Sequence, residues 1–100
     1  MAAMTHPYVE ETPGVCGGYP VIRGTRTPVR VVVEIFEQTE SIDATLEYFD
    51  WLEQEQVRGA LDYYREYPER VEEDRRTEHE ARLALMARSQ ARRERPRTGA

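Results

Sequence analysis

A chain of 100 residues, with 39% hydrophobic and 33% charged residues, is the size of a single domain with a small core, and its lone Cys16 excludes an internal disulfide framework or a thiol metal site within one chain. No run approaches the roughly 18 apolar residues of a membrane helix, and the opening segment lacks a basic-then-apolar export signal, so no membrane partner and a reducing cytoplasm are expected. The net charge of −5 is unevenly placed: residues 1–74 hold 6 Arg against 16 Asp and Glu, whereas residues 75–100 hold 8 Arg against 3 acids. An acidic body argues against a monomer that grips nucleic acid by bulk attraction, because phosphate neutralisation supplies most non-specific affinity.

In chain order, residues 1–7 show no periodicity and read as a flexible N-terminus. Residues 8–12 have strand character, Pro13-Gly14-Val15-Cys16-Gly17-Gly18 is dense in turn formers, and Val21-Ile22-Arg23 is the expected returning strand. A two-stranded ribbon is marginal alone in water, so it must pack on the helices or on a second subunit. Residues 17–29 (GGYPVIRGTRTPV) then place three glycines and two prolines between two apolar runs, a shaped connection that ends in a helix start. Thr27 is the expected cap and Pro28 the first helical residue. Arg26 is expected to lock the hairpin by bonding carbonyls or a carboxylate, with nucleic-acid contact as its second reading. These glycines are not a phosphate loop, since no Lys-Ser/Thr follows and Pro20 interrupts the strand–loop–helix order.

Val29, Val32, Val33, Ile35 and Phe36 recur at three- and four-residue spacing and predict a helix with one buried face over residues 28–38. Ser41 caps a short second helix carrying Ile42, Asp43 and Leu46. Phe49 and Leu52 anchor the connection to a third helix over residues 53–64, whose stripe of Val57, Ala60, Leu61 and Tyr64 faces the core while Gln54, Arg58, Asp62 and Arg65 face outward. A short helix, a tight apolar corner and a longer helix make a helix-turn-helix. Gly59 inside the third helix predicts a close backbone approach. Tyr67-Pro68 breaks the pattern, and residues 69–95 read as a long polar helix with a loose basic end. The expected architecture is mainly α: a small N-terminal β-hairpin, a three-helix, homeodomain-like helix-turn-helix core, and a long C-terminal helix. It divides into a flexible start (1–7), the hairpin and helix-turn-helix domain (8–67), and the C-terminal helix with its basic tail (68–100).

No acid, base or nucleophile has an identifiable partner, so no enzyme and no cofactor are expected. His6 and His79 are not at metal-ligand spacing and read as solvated side chains. If the third helix reads a major groove, Gln54, Arg58 and Arg65 are its candidate contacts, with Arg23, Arg26 and Arg30 adding phosphate contacts and a homodimer doubling weak contacts over a palindromic site. Glu53, Glu55 and Asp62 would repel phosphate, so a solvated face is the equal alternative. Trp51, Tyr63, Tyr64 and Tyr67 are expected as core and interface aromatics rather than base-stacking groups.

The string GGYPVIRGTRTPV, the valine-rich helix after it and LEQEQVRGALDYY resemble the prokaryotic domain-of-unknown-function family 433, over about residues 8–67. Its pattern of Gly-Gly-x-Pro-x-Ile-x-Gly-Thr-Arg-x-Pro-Val falls here on Gly18, Pro20, Ile22, Gly24, Thr25, Arg26, Pro28 and Val29 as the structural motif. The resemblance implies a helix-turn-helix antitoxin of a type II toxin–antitoxin system that binds operator DNA, autoregulates its operon and neutralises a PIN-like ribonuclease toxin. The C-terminal helix would then drape Leu83, Leu85 and Met86, with Arg82, over that partner. The competing reading is a non-enzymatic interaction or oligomerisation module that does not bind DNA.

Overall fold

The structure, a computed structural model, describes residues 6–94; the end expected to be loose, residues 88–100, is helical as far as Glu94 and otherwise lies outside the described residues, as does most of the expected flexible start. Strand β1 (Val9–Glu10) runs antiparallel to β2 (Val21–Ile22), with Val9 opposite Ile22 and Glu10 opposite Val21. The ribbon is shorter than expected because its connection takes up the chain: Gly14, Gly17 and Gly18 all have positive φ around a 3-10 turn at Cys16–Gly18. A backbone bent this way cannot continue a ladder. Val9, Val21 and Ile22 are buried, so the hairpin is held by the helices beneath it.

The hairpin lock is Arg23 rather than Arg26. Arg23 donates from Nη2 to the carbonyls of His6 (2.8 Å) and Val9 (3.1 Å) and from Nε to Pro7 (3.3 Å), while Nη1 meets Glu10 at 3.4 Å. Arg26 has an exposed side chain, and its main contact is a backbone carbonyl that accepts from the Cys16 thiol at 3.6 Å. Thr25 closes the following turn, its hydroxyl donating to Ile22 O at 2.8 Å and accepting from Thr27 N at 3.0 Å, with Gly24 at φ 80 between them.

Helix α1 (Val29–Thr39) starts one residue later than expected. Pro28 is its cap residue, without a side-chain bond, and Thr27 does not cap. The Thr27 hydroxyl instead accepts from Trp51 Nε1 at 2.7 Å, which ties the loop before α1 to the corner before the third helix. Val29, Val32 and Val33 are buried, whereas Ile35 and Phe36 are half-buried at the edge of the stripe. Glu40, at φ 56, ends the helix in the left-handed region. Helix α2 (Ile42–Leu46) opens on Ser41, whose hydroxyl accepts from Ala44 N at 3.1 Å. Buried Thr45 bonds Ser41 O (2.7 Å) and Thr39 Oγ1 (3.0 Å), so α1 and α2 share a satisfied polar corner.

Phe49 and Leu52 are buried in the corner between α2 and α3 (Gln54–Glu66), and α1, α2 and α3 form the helix-turn-helix core. Glu53 and Gln56 make a reciprocal capping box at the start of α3. Val57, Gly59, Ala60 and Tyr63 are its buried residues, with Leu61 and Tyr64 at the rim, so the core stripe is rotated slightly from the expected one. Gly59 is there for contact: a Cβ on it would lie 2.6 Å from Cβ and Cγ of Tyr8 in the hairpin.

Tyr67 leaves the helical region (φ −130, ψ 61) before Pro68 begins α4 (Pro68–Glu94). The first turns of α4 belong to the body, with Val71 and Asp74 buried. From residue 79 through 93 every side chain is exposed, so about half of this helix projects past the body. Among the described residues no helix is long and apolar enough to cross a membrane.

Candidate functional site

Two surfaces carry the candidate residues: the outer face of α3 and the projecting half of α4. On α3, Gln54, Arg58, Asp62 and Arg65 follow one another at four- and three-residue spacing, which sets them on one stripe, and Gln54, Arg58 and Arg65 are all exposed. Arg58, Asp62 and Arg65 line a shallow cleft with Ile42 of α2 and Leu61. Arg65 is engaged by Asp62 at 3.1 Å, an exposed pair one turn apart, so its charge is locally offset. Arg58 makes no ion pair among the described residues. The Arg26 guanidinium likewise has no partner among the described residues, and it adjoins Thr27, whose bond to Trp51 holds this loop beside the entrance to α3.

The other arginines assigned to phosphate contact are occupied. Arg23 closes the hairpin, and Arg30 reaches across to α4, with Nε 3.2 Å from Asp74 and Nη2 3.6 Å from Glu78. The Arg30–Asp74 pair is close, yet buried Arg30 Nε and Asp74 Oδ2 lack a well-aligned hydrogen bond. Burial raises the Asp74 carboxyl above its ordinary value, and neighbouring Arg30 offsets this only in part. Among the described residues the stripe therefore presents Gln54 and Arg58 as open contacts, with Arg65 shared, and Arg26 lies outside it in the loop before α1.

Further ties fix α4 on the body. Arg75 meets three carboxylates: Glu37 at 3.0 Å, Glu72 at 3.0 Å and Glu34 at 3.5 Å. Arg70 bonds Glu11 at 2.9 Å, donates to Gly18 O at 3.3 Å and lies 4.4 Å over the Tyr19 ring, which brings the glycine turn against α4. Tyr64 donates to Glu72 at 2.5 Å, and that bond, followed by burial, raises its phenol above the ordinary value. Tyr63 is raised too, first by burial and then by Glu11, its acceptor at 3.2 Å. His6 is not a solvated end: its Nδ1 accepts from Tyr8 N at 3.1 Å and its ring stands edge-on to Tyr63 at 5.7 Å. His79 is exposed, and among the described residues no three His, Cys, Asp or Glu side chains gather into a metal site.

On the projecting half of α4, Leu83, Leu85 and Met86 are 50%, 63% and 58% exposed, which is unusual for large apolar side chains in one short segment. Arg82 sits among them without an ion pair among the described residues. They do not form one patch. At 3.6 residues per turn, Leu83 and Met86 share one side of the helix, while Leu85 continues the line of Val71 and Glu78 at steps of seven.

A hairpin, a helix-turn-helix core and a projecting helical arm define a small, mainly α helix-turn-helix protein. A family model described as "Protein of unknown function (DUF433)" matches residues 9–64, more than half of the chain, and the chain belongs to the DUF433 family. Its fold is similar to the crystal structure of a DUF433 member protein from Anabaena variabilis ATCC 29413, with 34% sequence identity and a TM-score of 0.61. That similarity covers 67% of this chain and 66% of the other. No curated protein matches the chain.

Proposed function

We propose that this is a cytoplasmic, non-enzymatic antitoxin-type protein: a homodimer whose projecting helix captures a PIN-like ribonuclease and whose α3 face contacts operator DNA to autoregulate transcription. The observation that carries it is the projecting half of α4, where Leu83 and Met86 are exposed on one side of a segment in which arginines outnumber acids. An apolar stripe flanked by arginines that make no ion pair among the described residues suits the groove of an acidic partner, whose catalytic carboxylates an arginine fork can bond in pairs. In this reading Leu83, Leu85, Met86 and Arg82 contact the partner, and Gln54, Arg58 and Arg26 contact DNA, with Arg65 contributing after exchange from Asp62.

The decisive experiment coexpresses the full chain with the small ribonuclease encoded beside it. Co-purification and loss of nuclease activity are expected, and both should disappear with Leu83→Glu/Met86→Glu. An adjacent reading frame that encodes no PIN-like protein would overturn the toxin half. For DNA, a gel shift on the chain's own upstream duplex at low salt should show a complex that Arg58→Ala weakens. A second reading, an interaction module without DNA binding, is favoured by the Arg65–Asp62 pair and by Glu53 and Glu55 beside the stripe. It predicts no shift at any salt concentration.

A further inference from the structure

The corner between α2 and α3 exposes two large aromatic side chains. Tyr48 and Trp51 are 58% and 57% exposed, although Phe49 and Leu52 beside them are buried. Trp51 is fixed in place: its Nε1 donates to Thr27 Oγ1 at 2.7 Å, and its ring stands edge-on to Phe49 at 5.6 Å. An aromatic surface already held still loses little freedom when a partner settles on it, and such rings are enriched at interfaces.

The charge around the rings selects the occupant. Exposed Glu47, Asp50 and Glu53 alternate with Tyr48 and Trp51, and none of the three makes an ion pair among the described residues. Residues 40–57 hold six acids and no Lys or Arg, and Arg26 and Arg58 at the border offset only two of those charges. Phosphate is disfavoured at this corner. A guanidinium is favoured twice, by the carboxylates and by the ring faces.

The chain itself carries a segment of that chemistry. Residues 81–93 hold four arginines and no acid, and all are exposed. Arg88 and Arg92, one turn apart, make no ion pair among the described residues, and they stand about 170° around the helix from the side of Leu83 and Met86. Helix α4 is unbroken from Pro68 to Glu94, so it cannot fold back onto its own corner. Its course suits a second copy. Arg75 meets Glu37 and Glu34, and Glu78 meets Arg30, so α4 runs back along α1 and leaves the body at the N-terminal end of that helix. The Thr27–Trp51 bond holds the aromatic corner at the same end. Arg88 and Arg92 lie about 15 and 21 Å beyond Glu78 along the helix, far enough to pass over a second body that faces the first end to end.

We propose that the basic arm of a second copy covers the corner: in a two-fold dimer, Arg88 and Arg92 of each chain bond Glu47, Asp50 and Glu53 of its mate, their stems and guanidiniums laid over Tyr48 and Trp51. Because the exchange is reciprocal, one acidic surface and one basic surface are satisfied in each chain. The inference rests on the homodimer of the proposed function and gives it an interface. It uses no residue assigned there to the nuclease or to DNA, so those claims are tested apart from it.

Sedimentation of the full chain at low salt should give twice the 11.7 kDa monomer mass. The emission of Trp51, the one tryptophan of the sequence, should move to shorter wavelength as protein concentration rises. Arg88→Glu/Arg92→Glu and Glu47→Lys/Asp50→Lys change exposed side chains, and each pair should raise the dimer dissociation constant about tenfold or more with unchanged helical circular dichroism. Mixed in equal amounts, the two variants should associate as tightly as the wild type, since each arm then meets a corner of opposite charge. Leu83→Gln/Met86→Gln should leave the constant unaltered. A monomeric wild-type chain overturns the interface and the homodimer together. A dimer that neither reversal weakens, or reversed variants that do not recover on mixing, overturns the interface alone, as does a dimer broken by Leu83→Gln/Met86→Gln.

Discussion

The guanidiniums of Arg23 and Arg26 lie three residues apart in the same loop and do different work. Arg23 satisfies three carbonyls across the hairpin, and the Arg26 guanidinium makes no hydrogen bond or ion pair among the described residues. Charged hydrogen bonds contribute about 1.5–3 kcal/mol when well placed, less where water competes. Arg23→Ala should therefore cost about 1–3 kcal/mol in denaturant unfolding, whereas Arg26→Ala should stay within about 0.5 kcal/mol. The same residue scale decides Gly59. Replacing it with Ala adds up to about 1 kcal/mol of helix propensity, but the new methyl lands 2.6 Å from Tyr8 Cβ and Cγ, atoms too near the backbone to swing away. Overpacking of this kind costs about 1–3 kcal/mol, so Gly59→Ala should lower the unfolding midpoint and loosen the hairpin first. The sequence shows that a glycine inside α3 needs a neighbour; it does not say which, because Tyr8 lies 51 positions away.

At the scale of elements, periodicity and punctuation were readable. The valine stripe of α1, the Ser41 cap, the apolar corner at Phe49 and Leu52, and the break at Tyr67-Pro68 all stand where spacing puts them. Thr27 was misread as a helix cap, because its competing partner Trp51 is 24 residues distant and local rules see only the orphan amides of α1. The candidate stripe on α3 was legible as exposed, and the Arg65–Asp62 pair could be read from its three-residue spacing. That Arg23 and Arg30 were already occupied could not, since Val9, Asp74 and Glu78 belong to other elements. The joints between elements also make a pH prediction. Tyr63 joins α3 to Glu11 near the hairpin and Tyr64 joins α3 to Glu72 of α4, and both phenols are raised in the folded chain. A raised native value favours the protonated phenol in the native state, so this stabilisation is complete below pH of about 10 and is lost as the pH climbs through the native values. Ultraviolet titration of the six tyrosines should show at least two ionising late, together with the loss of helical circular dichroism.

For the whole molecule, the hairpin, the three-helix core and the first turns of α4 share one apolar core, since Val9, Ile22, Val57 and Val71 belong to the same buried cluster. Ending the chain after Glu80 removes only exposed described side chains, and the remaining body should unfold cooperatively at a midpoint independent of protein concentration. The intact chain should unfold at a midpoint that rises with concentration, because self-association draws on the folded state alone. Scanning fluorimetry over a hundredfold concentration range separates the two.

Because α4 leaves the body without a break, the direction in which its outer end looks is geared to the number of residues between. One alanine inserted after Glu80 turns everything beyond it by about 100°, whereas seven return it to within about 20° of its starting bearing. In the proposed homodimer, the single insertion should weaken self-association in sedimentation and the sevenfold one should retain it. The shaft thus acts as a phase-keeping coupling: its length can change by whole double turns, but its rotation cannot drift.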